Sequence, residues 1–77
     1  MPTPTMEDVL KLVRLQLGRR LVRPGDRFVE DLGAESADIA NLAAAVEERY
    51  GITVSESDLA RLATPQDLYD LVQRLAR

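Results

Sequence analysis

Three stretches of this chain concentrate apolar residues along one helical face, so none of them can be stable alone. Met6, Val9, Leu10, Val13 and Leu17 follow the i, i+3, i+4, i+7 spacing over roughly residues 4–17. Ile39, Leu42, Ala43, Val46 and Tyr50 do the same over 36–50, and Leu68, Leu71, Val72 and Leu75 do so near the end. One-sided helices bury their stripes against one another. The spacing therefore predicts an all-α fold, a small bundle. With 77 residues there is room for one domain, spanning 1–77, with a small core.

The punctuation between the stripes refines this. Thr3 or Thr5 can cap the first helix, which is predicted from about Pro4 to Leu17, and Thr5 with Asp8 has capping-box spacing. Gly18 and Gly51 suit the positions just past two helix ends. Ile52, Thr53 and Val54 alternate like a strand, but with no second strand to pair they read as an extended connection. Ser55-Glu56-Ser57-Asp58 predicts a short helix through about Leu62, with Leu59 and Leu62 inward. Thr64, Pro65 and Asp67 mark the start of the last helix, and Tyr69 belongs at its rim. The expected architecture is four helices, three longer and one short, with a long loop from Arg19 to Glu35 between the first two. Pro24-Gly25 signals a turn in that loop, and Leu21, Val22, Phe28, Val29 and Leu32 are available to pin it. Phe28, the one phenylalanine, is expected to be a core plug.

Composition removes several chemistries. There is no histidine and no cysteine, so the commonest general base, a thiolate site and a disulfide framework are all missing. A serine nucleophile needs an adjacent base, and carboxylates are weak bases at neutral pH. The four glycines are dispersed, so no phosphate-cradling loop is present. A self-sufficient enzyme is not expected. No apolar run approaches membrane-spanning length, and Met1-Pro2-Thr3-Pro4-Thr5 lacks the basic and apolar parts of a signal peptide. A cytoplasmic location is the expectation.

Charge is unevenly spread. Residues 26–58 hold nine acids against two arginines, a net of −7, whereas residues 1–25 are net +3. The acidic block suits basic protein patches and repels nucleic acid. At its centre lies Asp31-Leu32-Gly33-Ala34-Glu35-Ser36-Ala37-Asp38. Gly33 allows a turn, and Ser36 stands where an N-cap or first-turn residue belongs. From the residues alone, Ser36 is either a plain helix cap, worth about 1 kcal/mol, or an exposed hydroxyl on which something is attached. A helix N-terminus favours a phosphodiester.

The segment Asp31-Leu32-Gly33-Ala34-Glu35-Ser36-Ala37 resembles the prosthetic-group motif of acyl carrier proteins, Asp-Leu-Gly-x-Asp-Ser-Leu. The likeness extends through Val46-Glu47-Glu48-Arg49-Tyr50-Gly51-Ile52-Thr53-Val54 and Thr64-Pro65-Gln66-Asp67-Leu68, and so over nearly the whole chain. It implies a non-catalytic carrier in fatty-acid, polyketide or related specialised biosynthesis. A 4′-phosphopantetheine arm from coenzyme A would sit on Ser36 and hold acyl groups as thioesters. The partners it implies are a phosphopantetheinyl transferase, acting with Mg²⁺, and acyl-transferring and chain-modifying enzymes with basic docking patches. Glu35, Ala37, Asp38, Asn41, Glu47 and Glu48 would form the recognition surface, and the carrier would be a monomer. The sequence departs from the pattern in three places: Glu35 replaces aspartate, Ala37 replaces an apolar contact leucine, and Asn41 stands where an acid is common. These departures suggest a carrier matched to particular partners, and Ala40, Ala43, Ala44 and Ala45 suggest interior room for a cargo. The competing readings are a peptidyl or aminoacyl carrier, and an unmodified helical interaction module that uses the acidic second helix.

Overall fold

In a computed structural model, which describes residues 4–76, the chain forms four helices. They are α1 (Met6–Leu17), α2 (Ser36–Tyr50), α3 (Glu56–Ala60) and α4 (Pro65–Leu75). The all-α bundle with one short helix agrees with the periodicity, and no strand forms among the described residues. α1 packs against both α2 and α4, and α3 packs against α2.

Helix ends lie where local chemistry puts them. Thr5 caps α1: its Oγ1 accepts the Asp8 amide at 3.1 Å, and the Asp8 carboxylate accepts the Thr5 amide at 3.0 Å. The helix therefore starts at Met6, two residues after the expected Pro4. Thr3, the other candidate cap, lies outside the described residues, as do Met1, Pro2 and Arg77. Gly18 and Gly51 both have φ of 65°, the left-handed conformation that stops α1 and α2. α3 ends at Ala60, short of the expected Leu62, although Leu62 is buried all the same. Thr64 and Asp67 form a capping box at the start of α4, with Pro65 first in the helix.

The amide and hydroxyl of the cap residue Thr5, in that order, hold the Asp8 carboxyl below its ordinary value. Its folded pKa is depressed, so its contribution to stability is present above the unfolded pKa and is lost as pH falls through the folded one. Asp8→Asn is therefore expected to flatten the loss of thermal stability below about pH 4. Melting temperatures of both proteins followed through acid pH check this; parallel curves would contradict it.

The core joins all four helices and the long loop. Val9, Val13, Leu42, Val46, Leu68 and Val72 are fully buried. Phe28 is fully buried as well, which bears out its reading as a plug, and Val22 and Leu32 join it. Leu21 and Val29 do not: they are 62% and 57% exposed. Successive residues in extended or turning backbone point to opposite sides, so Leu21 beside Val22 and Val29 beside Phe28 are turned outward. Tyr69 is half-buried at the rim, as expected. Backbone hydrogen bonds complete the pinning. The Phe28 amide donates to the Ala63 carbonyl at 2.8 Å, and the Gln66 amide donates to the Pro24 carbonyl at 3.0 Å. The first fastens the loop to the α3–α4 connection and the second to the first turn of α4.

Candidate modification site at the start of the second helix

The loop reaches Ser36 through a sequence of small locks. The Arg27 amide donates to Asp31 at 2.8 Å, and the Asp31 and Leu32 amides return to the Arg27 carbonyl at 2.9 and 3.0 Å. Gly33 follows with φ of 67°, its amide bonded to the Val29 carbonyl at 3.2 Å. The Ala34 amide then donates to the Phe28 carbonyl at 2.8 Å. Leu32 and Ala34 are both buried on either side of Gly33. The backbone entering α2 is thus held from the core side, while the next three residues face solvent.

A β-carbon at Gly33 would meet nothing within 4 Å, so only the left-handed conformation requires glycine. Gly33→Ala is expected to cost roughly 1–2 kcal/mol without a clash. Thermal unfolding reads this directly. A variant as stable as the parent would mean that the turn can relax.

Ser36 is not the cap. Glu35 holds that position with extended backbone (φ −98°, ψ 170°), and Ser36 is the first helical residue. The capping interaction comes from Asp38, whose Oδ2 accepts the Glu35 amide at 2.9 Å. The Ser36 hydroxyl has no hydrogen-bond partner among the described residues, and the side chain is exposed. The Ser36 and Ala37 amides likewise have no acceptor there, as expected for the first positions of a helix. An exposed hydroxyl, two free N–H groups and the positive end of a 15-residue helix therefore coincide. Asp38 is turned onto the Glu35 amide, so its charge is already engaged. Such an arrangement accommodates a phosphodiester.

The other expected site residues divide. Glu35, Ala37, Asn41 and Glu48 are exposed, and Asp38 and Glu47 are half-buried. Glu47 has an internal task that its sequence position did not suggest: its Oε2 accepts the Val54 amide at 2.7 Å. This fixes the exit from α2 and leaves Glu48 as the freer acid at that end. Glu47→Ala is expected to destabilise the domain by about 1–3 kcal/mol, since the Val54 amide is part-buried and loses a charged acceptor. Glu48→Ala is expected to stay within about 0.5 kcal/mol. Chemical denaturation of the two variants separates them. The alanines do not open an interior: Ala40 and Ala44 face solvent, Ala45 is half-buried, and only Ala43 lies in the core. They lower the relief of the α2 surface instead. Sequence reading also missed the Asp31 lock and the Asp26 carboxylate that accepts the Arg23 amide at 2.9 Å. The acid spacing of three or four residues from each amide was the available signal.

Among the described residues no helix is long and apolar enough to cross a membrane, and no cluster of acids gathers as a metal site.

Comparison with known proteins agrees with this geometry. The family described as the phosphopantetheine attachment site matches residues 7–72. An acyl carrier protein of Nitratidesulfovibrio vulgaris (strain DP4) is 38% identical over 68 residues, covering 86% of this chain and 90% of that protein. One from Campylobacter lari is 30% identical and covers 92% and 95%. Among solved structures, 3-oxo-butyl acyl carrier protein from the actinorhodin polyketide synthase of Streptomyces coelicolor superposes with a TM-score of 0.78. It is 26% identical, with 97% of this chain and 93% of that one covered.

Proposed function

Because the chain belongs to the acyl carrier protein family, a family of carriers rather than enzymes, we propose that Ser36 bears its phosphopantetheine and that α2 presents it to the partners. One observation carries this: Ser36 alone in the motif combines an exposed, internally unbonded hydroxyl with a backbone locked to the core. When bound, the arm supplies a terminal thiol that holds acyl groups as thioesters. The residues of the chain itself do the rest. Leu32, Ala34 and the Asp38–Glu35 cap hold the hydroxyl in place, and the free Ser36 and Ala37 amides favour the phosphate charge. Among the described residues neither Glu35 nor Asp38, both weak bases at neutral pH, bonds the Ser36 hydroxyl, so the transferase takes its proton.

We assign the recognition surface to Glu35, Ala37, Asp38, Asn41 and Glu48, with Glu47 chiefly structural. Ala37 is the discriminating position. It is exposed in the first turn, where a leucine would offer a partner pocket roughly 1.5–3 kcal/mol of apolar contact if buried there. Its absence supports a carrier with dedicated partners, in a polyketide-type or otherwise specialised pathway, working as a single domain. The likeness to carriers from the actinorhodin synthase supports the same direction. The test is loading by a broad-specificity transferase with coenzyme A and Mg²⁺. Ala37→Leu is expected to load about tenfold faster than the parent. Equal rates would remove Ala37 as a selectivity determinant.

A further inference from the structure

The acidic α2 face is not the only exposed surface with a marked composition. Between Asp8 and Asp26 the chain contains no acid. In that interval lie Lys11, Arg14, Arg19, Arg20 and Arg23. Arg14 is paired with Glu7 at 2.7 Å, but the other four have no ion-pair partner among the described residues. The same interval exposes Leu15 and Leu21, at 71% and 62%. The backbone that presents them is fixed. The left-handed Gly18 ends α1, and the Arg19 amide is held by the Arg14 carbonyl at 3.0 Å. Val22 is anchored in the core, so Leu21 is turned outward.

We propose that the segment from Lys11 to Arg23 is a second docking surface, which takes an acidic protein patch with apolar pockets for Leu15 and Leu21. Scattered exposed leucines need no explanation, but here two lie among arginines, a residue enriched at protein interfaces, and an apolar centre within a polar rim is the common layout of such interfaces; Asp8 and Arg49 border Leu15 at one edge. Charge complementarity selects an acidic occupant. A protein fits better than an anionic lipid surface. A bilayer would also meet the −7 block of residues 26–58, whereas a protein patch of limited size can engage the basic segment alone. A second copy of the chain, offering its acidic face head to tail, would give a heterologous contact and concentration-dependent assembly. The segment contains none of the residues assigned to the arm or to its recognition surface.

The probe is a synthetic helical peptide with glutamates on one face and leucines on the other, titrated into ¹⁵N-labelled protein at low ionic strength. Amide shifts are expected to concentrate at residues 11–23 and to leave 35–48 unmoved. The double variant Arg19→Glu/Arg20→Glu is expected to bind about tenfold more weakly, and Leu21→Ser is expected to weaken binding with an unchanged thermal transition. Ser36→Ala is expected to bind the peptide like the parent. Absent or dispersed shifts would overturn the proposal. So would binding of phosphatidylglycerol vesicles in place of the peptide, or concentration-dependent sedimentation that maps to these same residues.

Discussion

Phe28→Ala is expected to destabilise the domain by about 3–5 kcal/mol. Phe28 is fully buried where the long loop meets α3–α4, and it is the largest of the fully buried side chains among the described residues. Its backbone amide reaches the Ala63 carbonyl and its carbonyl accepts from Ala34. One residue therefore closes the core and sets the path of the chain into the candidate modification site. Domains of this size have roughly 5 kcal/mol or little more in total. The variant is expected to lose about 15–30 °C of melting temperature and to be partly unfolded at 37 °C. Phe28→Leu, which refills most of the volume, is expected to lose far less. Thermal unfolding followed by circular dichroism reads both. A fall of only a few degrees for Phe28→Ala would show that the loop is held by its hydrogen bonds rather than by this side chain.

Ser36→Ala has the opposite signature. The hydroxyl makes no bond within the described residues and the cap belongs to Glu35 and Asp38, so nothing in the fold depends on it. Alanine is at least as good as serine inside a helix. Stability is expected to stay within about 0.5 kcal/mol of the parent, while phosphopantetheine loading falls to nothing. Asp38→Ala would separate the roles further, losing about 1 kcal/mol of capping but keeping the attachment hydroxyl. The contrast distinguishes a serine kept for chemistry from one kept as a cap, the two readings that the sequence left open.

The helices were legible because their apolar spacing has a single period and their ends carry strong signals. Gly18, Gly51, Thr5 with Asp8, and Thr64 with Pro65 each stop or start a helix by local geometry alone. The long loop was half legible. Its apolar residues come in adjacent pairs, Leu21-Val22 and Phe28-Val29, and one member of each pair must point outward. Composition cannot say which member does, because that depends on how the loop lies across α3–α4. At the site, the motif marked Ser36 but not its register. An acid three residues after Glu35 makes a cap as readily as the serine would, and this moved Ser36 one position into the helix. The task of Glu47 was hidden because it depends on the fold bringing Val54 back to α2.

The recognition surface we propose is also smaller than charge counting suggests. Asp38 and Glu47 each hold a backbone amide, leaving Glu35 and Glu48 as the acids most available to a basic partner. Exposed ion pairs contribute little individually, so the selectivity we propose rests on apolar relief near Ser36, where Ala37 is the notable departure.

We propose that one hydroxyl, at Ser36, bears the arm. The most direct measurement is intact mass of the parent and Ser36→Ala after exposure to coenzyme A, Mg²⁺ and a transferase competent for the parent, with fragmentation to locate the adduct. A single phosphopantetheine on the Ser36 peptide of the parent and none on the variant is the predicted result. An adduct on Ser55, Ser57 or a threonine, or one that persists in Ser36→Ala, would contradict it.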